Sequence, residues 1–328
     1  MAQSFHHIPI MVNEVLEHLA PKPGGLYLDG TLGGGGHAQA VLSRIRPGGR
    51  LIGIDRDEEA LEAAQLRLQG DKDNLTVFHG NYKEAPELLR EAGFGPLDGA
   101  LLDLGVSSWQ LDNAERGFSY QADAPLDMRM DKTQPLTART VVNEYDQRTL
   151  TEMLYRYGEE RWAPRIAAFI VERRKQAPIE TTGELVELIY QAIPAGARRK
   201  GPHPAKRSFQ AIRIEVNAEL AGLKEAVEDI AGLLKPGGVL CVITFHSLED
   251  RIVKTDLAEF AKGCTCPPDF PVCVCGKTPD VKLTPRKPIL PSAQEVEENP
   301  RARSAKLRVA EKLKDPRQLF CEIGREME

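Results

Sequence analysis

The residues best able to do chemistry lie at positions 29–37, where an aspartate ends an apolar run and four consecutive glycines precede a histidine. Glycines after a strand let a ligand lie against bare backbone at the start of a helix, which is typical of nucleotide binding. The Asp29 carboxylate, however, would repel a pyrophosphate and attract the ammonium and sulfonium groups of S-adenosylmethionine. The pattern therefore favours a methyl donor. The spacing Gly33-x-Gly35-x-x-Ala38 also fits a dinucleotide fingerprint, and a tight turn without a ligand stays open.

This interpretation is extended by Asp55 and Tyr82, which follow the second and the third apolar run. Asp55 follows Asp29 at the distance at which an acid typically binds the ribose hydroxyls of an adenine nucleoside or nucleotide. The alternative is a helix cap, because Asp57 and Glu58 follow at a predicted helix start. Tyr82 stands after the third apolar run, where it can lie against an adenine ring or be a half-buried surface tyrosine.

Asp103 ends the fourth apolar run, a position that in a methyl-transfer enzyme lies beside the transferable methyl. A carboxylate there can accept a hydrogen bond from an exocyclic amine and localise its delocalised lone pair. DNA amino-methyltransferases usually carry Asp/Asn/Ser-Pro-Pro-aromatic at this point, and this chain does not. The acceptor group therefore stays open on motif grounds, and Trp109 predicts either a base-stacking residue or a core residue.

His246 follows the fifth apolar run at the same predicted edge. It can contact the substrate or shuttle a proton, so we name it with Asp103 as a candidate catalytic residue. Ser247 and Asp250 are predicted to cap the helix that follows.

Basic side chains are unevenly distributed in a chain whose net charge is -5. One run without acids predicts a nucleic-acid contact rather than a solvated loop. Its candidate residues are Arg198, Arg199, Lys200, Lys206 and Arg207. A second basic cluster, which we group with the first, comprises Arg301, Arg303, Lys306 and Arg308.

Four cysteines stand close together near the C-terminal end of the chain. Cys264-x-Cys266 and Cys273-x-Cys275 can place four thiolates around one structural zinc, although the common spacing is Cys-x-x-Cys. Free thiols are the next interpretation, and a disulfide is the last. Four sulfur ligands leave no open position, so the motif does not predict a catalytic metal.

Composition indicates a globular protein large enough for one or two domains, since 41% of its 328 residues are hydrophobic. The N-terminus lacks the charged and apolar regions of a signal peptide, and no apolar run is long enough to span a bilayer. We therefore expect a cytoplasmic protein without a membrane partner.

Strands and helices must alternate to position these residues. Short apolar runs predict strands at 25–29, 50–55, 75–79, 97–104 and 239–245, and helical patterns lie between the first four. This alternation predicts a doubly wound parallel α/β sheet, with Asp29, Asp55 and Asp103 at its carboxyl edge. Residues 106–205 carry helical periodicity throughout and predict an inserted helical domain between sheet segments 1–105 and 206–328. The second segment includes a cysteine-rich loop at 261–280.

Several long motifs occur in the order found in a known family. They are 29–37 (DGTLGGGGH), 102–108 (LDLGVSS), 115–119 (ERGFS), 126–130 (LDMRM), 157–160 (YGEE), 245–251 (FHSLEDR) and 298–304 (ENPRARS). These motifs closely resemble those of the RsmH (MraW) family, bacterial small-subunit ribosomal RNA cytosine-N4 methyltransferases. The resemblance covers nearly the whole chain and implies a class I S-adenosylmethionine-dependent methyltransferase fold.

The resemblance also implies specific ligand contacts and a substrate. Together with the residue pattern, the resemblance implies which residues bind the methyl donor S-adenosylmethionine. They are Asp29, Gly34, Gly35, Gly36, His37, Asp55, Tyr82, Asp103 and Gln110. It implies methylation of one cytidine in the decoding region of 16S ribosomal RNA, while the oligomeric state stays open. The resemblance gives no support to a zinc site in the cysteine-rich loop. A nicotinamide-dependent oxidoreductase and a non-catalytic RNA-binding assembly factor are the alternatives.

Overall fold

The computed structural model describes residues 9–198, 203–267, 270, 272 and 274–314. The chain divides into two compact units. The sheet unit consists of the described residues up to Gly105 and from Ala221 onward, and the helical unit is Val106–Leu220. Within the described residues, no helix combines the length and the apolar character that crossing a membrane requires.

The sheet unit contains a seven-stranded sheet of order β3-β2-β1-β4-β5-β7-β6. Its strands are β1 (Leu26–Asp29), β2 (Arg50–Asp55), β3 (Leu75–His79), β4 (Leu97–Asp103), β5 (Leu234–Thr244), β6 (Val281–Leu283) and β7 (Lys306–Lys312). The first five strands pair in parallel, whereas β7 runs antiparallel to both β5 and β6. The predicted doubly wound parallel sheet is therefore confirmed for β1 to β5.

Helices accompany the sheet within this unit. They are α1 (Val12–Leu19), α2 (Gly36–Ile45), α3 (Glu58–Arg67) and α4 (Ala85–Glu91), followed after the helical unit by α12 (Leu223–Gly232), α13 (Ser247–Phe260) and α14 (Ala293–Glu298). Of these, α2, α3 and α4 each connect two of the parallel strands. Central strands are apolar on both faces, as Tyr27, Leu28, Ile52 and Leu101 show by their burial. Helices that pack on both sides of a parallel sheet cover the side chains of both faces, so this burial is expected.

The helical unit has a hydrophobic core of its own, which includes Leu154, Ile166, Ile189 and Phe209. Its helices are α5 (Ser108–Asp112), α6 (Ala138–Glu144), α7 (Gln147–Gly158), α8 (Ala163–Arg174), α9 (Thr182–Ala192), α10 (Ala195–Arg198) and α11 (Lys206–Asn217). The predicted caps are present. The Asp146 side chain accepts hydrogen bonds at the start of α7, and Thr181 and Glu184 form the capping box of α9.

One predicted helix is two helices in the structure. The periodic pattern from 209 to 230 reads as a single amphipathic helix, but α11 ends at Asn217 and α12 begins at Leu223. Ala218 and Gly222, between them, have positive φ angles of 47° and 69°, which no α-helix allows. The helical unit consequently extends to Leu220, beyond the expected boundary at 205.

The C-terminal part of the sheet also differs from the expectation. The sequence after the cysteine-rich loop predicts extended, proline-rich chain, but part of it forms the strands β6 and β7. Strand β5 begins at Leu234 and includes Pro236-Gly237-Gly238, where the pairing with β4 shifts register. Pro-Gly-Gly occurs three times in the chain, and each time it predicts a strand directly after it. The third copy instead lies inside an irregular strand.

Candidate active site

The site is built at the carboxyl edge of the sheet, beginning with Asp29 at the end of β1. Its side chain is buried, and the Thr31 backbone N–H donates to Asp29 Oδ1 over 3.2 Å. Burial raises the pKa of Asp29 to about 7; hydrogen bonds from Thr31 oppose the increase, and the Asp55 carboxylate adds to it. A cation placed beside Asp29 would favour its ionised form.

The glycine loop after β1 is held against the neighbouring strands. The Gly30 N–H donates to the Leu101 carbonyl on β4, and the Leu32 N–H donates to the Ile54 carbonyl on β2. A Cβ on Gly30 would lie 2.6 Å from a Leu102 methyl, so this position requires glycine.

Gly35 ends the loop and has a φ of 75°, in the left-handed region that favours glycine. A Cβ there would also approach Leu68 to 3.1 Å. Helix α2 begins directly after it at Gly36, and Gly34 lies in the preceding half-buried turn. The first N–H groups of a helix have no partner within the helix, so this turn offers backbone donors to a ligand.

Asp55 is tied to the glycine loop by its side chain. Its Oδ2 accepts the Gly33 N–H over 2.7 Å, and its Oδ1 accepts the Asp57 N–H over 2.9 Å. Burial raises the pKa of Asp55, and these hydrogen bonds oppose the increase. The cap of α3 is Asp57, whose side chain accepts from the Glu59 N–H. Asp55 therefore does not serve as the cap that its sequence context offered.

Tyr82 lies after β3 at the start of a short 3-10 helix and is half-buried. A Cβ on Gly30 would come within 3.0 Å of the Tyr82 Cβ, which places the tyrosine backbone beside the glycine loop. Its predicted contact with an adenine ring stays a prediction.

Asp103 ends β4, the strand that pairs with β1. Its N–H donates to the Thr31 hydroxyl oxygen over 2.6 Å, so Thr31 contacts both acids. Burial, followed by the charges of Asp29 and Glu249, raises the pKa of Asp103 to about 8. Asp103 Oδ1 has no hydrogen-bond partner among the residues that the structure describes. A buried carboxyl oxygen without a partner is costly unless a ligand supplies one.

His37 lies in the first turn of α2, with a buried ring. Its Nε2 is 2.9 Å from the Ile10 carbonyl oxygen, which can only accept, so Nε2 carries the proton. The Nδ1 atom faces Asp103 Oδ2 at 3.7 Å, which is longer than a hydrogen bond. The structure therefore places His37 beside the acid of β4.

His246 serves as the N-cap of α13. Its Nδ1 accepts the Glu249 N–H, while the Glu249 side chain accepts the N–H groups of Phe245 and His246. The prediction that Ser247 and Asp250 cap this helix is therefore wrong. The capping pair is His246 and Glu249, each one residue earlier. Nε2 lies 3.0 Å from Glu249 Oε1 without hydrogen-bond geometry. A catalytic role for His246 stays a prediction, because the cap explains its position.

Gln110 belongs to the helical unit, where it lies in α5. Its N–H donates to the Ser107 hydroxyl, and its Oε1 accepts the Ser107 N–H over 3.0 Å. These two bonds form a capping box at the start of the helix. A donor contact by Gln110 stays a prediction.

The two predicted basic clusters have different outcomes. In the first, Arg198 donates to the Ile193 carbonyl, and Lys206 and Arg207 are exposed at the start of α11. Arg199 and Lys200 lie outside the described residues. In the second cluster, Lys306 and Arg308 both form ion pairs with Asp250, at 2.8 and 2.7 Å. The structure thus assigns these two cations to internal pairing, whereas Arg301 and Arg303 are exposed.

The predicted metal motif is partly described. The Sγ atoms of Cys264, Cys266 and Cys275 lie within 4.8 Å of one another, and Cys273 lies outside the described residues. None of these three cysteines is joined in a disulfide with another described residue.

Thr31 and Glu249 are the site residues that the sequence reasoning missed. Thr31 connects Asp29 to Asp103, and Glu249 raises the pKa of Asp103. The position of Thr31 between the acid and the glycines was a usable signal. Glu249 stands three residues after His246, the spacing of a capping box, and this too could have been recognised.

Comparisons with known proteins cover both units. A sequence profile of the MraW methylase family matches residues 4–313. A protein named ribosomal RNA small subunit methyltransferase H from Symbiobacterium thermophilum is 57% identical over 310 residues, covering 94% of this chain and 98% of that protein. Its namesake from Brevibacillus brevis is 56% identical over 310 residues, with coverages of 94% and 99%. Its namesake from Clostridioides difficile is 52% identical over 309 residues, with the same coverages.

These matches agree with the fold and with the site. The predicted class I S-adenosylmethionine-dependent methyltransferase fold is confirmed, as is the resemblance drawn from the motifs. The acids at the ends of β1, β2 and β4 and the glycine turn all fall within the matched residues. The chain therefore belongs to the MraW methylase family.

Proposed function

We propose that this enzyme transfers a methyl group from S-adenosylmethionine to N4 of a cytidine in the decoding region of 16S ribosomal RNA, in the small ribosomal subunit. The relatives carry the name of a small-subunit ribosomal RNA methyltransferase, which supports this class of substrate. The choice of N4 and of the decoding region rests on the family resemblance. The structural observation that carries the proposal is the buried Asp103 carboxyl group, with one oxygen lacking a partner in the described part of the chain.

The residues at the sheet edge fit a methyl donor of this kind. Asp29 and Asp103 have raised pKa values and gain from a cationic ligand, which a sulfonium and an ammonium supply. Asp55 retains acceptor capacity for ribose hydroxyls, because a carboxylate has about four lone-pair sites. The first N–H groups of α2 follow the Gly35 turn and can donate hydrogen bonds to the ligand. An ionised Asp29 would also repel the pyrophosphate of a nicotinamide coenzyme.

We assign the contact with the acceptor amine to Asp103. The N4 lone pair of cytosine is delocalised into the ring, so the amine is a weak nucleophile. When bound, S-adenosylmethionine supplies an electrophilic methyl group. An ionised Asp103 would accept a hydrogen bond from N4 at Oδ1 and so localise the lone pair while the methyl group leaves the sulfonium, whose sulfur keeps the bonding electrons. Its raised pKa also suits it to receive the proton that N4 loses.

The helical unit supplies a surface that suits RNA. Arg198 stacks on the half-exposed Tyr190 ring at 4.0 Å from its centroid, and Arg161 lies 5.2 Å from the Trp162 ring. Arg207 is held at the end of α7 by a hydrogen bond to the Glu159 carbonyl. Guanidinium groups beside aromatic rings bind phosphates and stack on unpaired bases.

The proposal is tested by supplying labelled S-adenosylmethionine with 16S RNA or isolated small subunits. We expect label in one cytidine and N4-methylcytidine after nucleoside digestion and mass analysis. Incorporation at another base, or at another cytosine atom, would contradict the chemistry proposed for Asp103. Binding of RNA without any incorporation would favour an assembly factor. Saturation by NADH but not by the methyl donor would favour an oxidoreductase.

The RNA surface is tested separately by the salt dependence of RNA binding. Arg198→Ala and Arg161→Ala should each lower the slope of log affinity against log salt by about 1. Arg148→Ala is the matched control, because Arg148 is an exposed arginine of the same unit already paired with Glu152. An unchanged slope in the first two variants would show that these arginines do not contact phosphates.

A further inference from the structure

The described residues of the loop between α13 and β6 form no hydrophobic core. Its ends are joined, since the Asp280 N–H donates to the Phe260 carbonyl over 2.9 Å. None of the described residues between 261 and 280 is buried. Phe270, Val272 and Val274 are half or more exposed. Since the apolar side chains described in this loop are not buried, its stability requires another source.

Three thiols converge within this loop at a distance that suits a metal. Cys264 Sγ and Cys275 Sγ are 3.7 Å apart, and Cys266 Sγ lies within 4.8 Å of both. Two sulfurs bound to one tetrahedral zinc at about 2.3 Å would be about 3.8 Å apart. A disulfide requires about 2.0 Å, so the sulfurs are spaced as shared ligands and not as a bonded pair.

Each of the three sulfurs also accepts one backbone N–H. Cys264 accepts from the Cys266 N–H, Cys275 from the Thr265 N–H, and Cys266 from the Val274 N–H, all at 3.4 Å. Backbone N–H groups therefore surround the three sulfur atoms and fix their positions, as the outer hydrogen bonds of a metal site do.

We propose that Cys264, Cys266 and Cys275 hold a structural zinc ion that fixes the loop between α13 and β6. Zinc is the divalent cation that tetrahedral thiolate sites most often select. The sequence predicts Cys273 as the fourth donor; it lies outside the described residues, and its assignment rests on spacing alone. The site is separate from methyl transfer, so its failure would leave the proposed function intact.

Metal analysis of the full chain tests this proposal. The protein is purified with a reductant from zinc-supplemented cells, passed through a desalting column, and analysed for bound zinc and for absorption after cobalt substitution. We expect one zinc per chain and the charge-transfer and visible bands of a tetrahedral cobalt thiolate. Cys264→Ser, Cys266→Ser and Cys275→Ser should each reduce zinc content roughly 10-fold or more. Chelation should accelerate tryptic cleavage at Lys262 and Lys277, which flank the cysteines.

Thr265→Ala is the matched control, because it keeps every sulfur and the backbone N–H that Cys275 accepts. It should retain parental zinc and the cobalt spectrum. Binding of S-adenosylmethionine by each serine variant shows that the sheet unit is folded, so loss of zinc is then local. A parent protein without bound zinc, or folded serine variants that keep it, would overturn the proposal.

Discussion

Two groups of buried acids in the sheet unit differ in their partners. Asp250 on α13 is paired with Lys306 and Arg308, and although burial opposes ionisation, these cations lower its pKa. Asp29 and Asp103 lie at strand ends, and burial raises their pKa values to about 7 and about 8. Cations of the protein itself stabilise the ionised form of Asp250. The ionised forms of Asp29 and Asp103 would instead be stabilised by a cationic ligand. This contrast separates an acid that supports the fold from acids that support a site.

The largest effect should come from Asp103→Asn. Its amide cannot serve as the charged acceptor for N4, so we expect kcat for methyl transfer to fall roughly 100- to 1000-fold. Single-turnover incorporation of labelled methyl into RNA measures this, with donor affinity measured separately. Glu297→Gln, at an exposed acid of the same unit, should keep parental activity. Activity within a few-fold of the parent in Asp103→Asn would remove the acid of β4 from the chemistry.

Asp250→Asn should act on stability instead. It leaves Arg308 with a buried charge and no carboxylate, because the Arg308 Nε donates directly to Asp250. We expect the free energy of unfolding to fall by about 3 kcal/mol, measured in urea. The same Glu297→Gln control should change it by less than about 0.5 kcal/mol. If Asp250→Asn were as mild as the control, the paired acid would not differ from a surface acid.

Donor binding should depend on pH because the raised pKa values of Asp29 and Asp103 leave both acids partly protonated near neutrality. A cationic donor prefers the ionised acids, so binding below their raised pKa values must release protons. We expect the Kd for S-adenosylmethionine to fall roughly tenfold between pH 6 and 8.5, as measured by calorimetry. S-adenosylhomocysteine lacks the sulfonium charge and should show a weaker dependence. Equal dependence for both ligands would contradict the role of the acids.

The smallest effect concerns thermal stability. The folded chain holds a proton on Asp103 up to a pKa of about 8, and the unfolded chain releases it near 3.8. Asp103 therefore reduces stability progressively as pH rises through this window, and removing the carboxylate should remove that penalty. We expect the Tm of Asp103→Asn to exceed that of the parent by about 2 °C at pH 8.5, and by less at pH 5. A lower Tm at pH 8.5 would contradict the raised pKa.

The acids and glycines of the site could be predicted because they are local. Asp29, Asp55 and Asp103 each end an apolar run, and parallel strands bring such ends to one edge. Thr31 was missed because its role depends on the register of β1 and β4, which sets the Asp103 N–H beside its hydroxyl.

Errors arose where a residue's partner is distant in the sequence. Lys306 and Arg308 read as a basic surface, since nothing near them shows that β7 returns beside α13 and Asp250. The antiparallel pairing of β7 with β5 and β6 was missed for a related reason. Helix α14, which precedes β7, buries none of its residues, so the sequence there lacks the amphipathic pattern that marks the helices of the parallel part.

The sequence by itself determined the alternating sheet, the glycine turn, the acids at the strand ends and the family, because each depends on local pattern or on the order of motifs. The tertiary structure alone decided which charges are paired. Asp250 meets two cations from β7, whereas Asp103 meets Asp29 and Glu249. Burial and partner together set the ionisation of a carboxyl group, and both are properties of the folded chain.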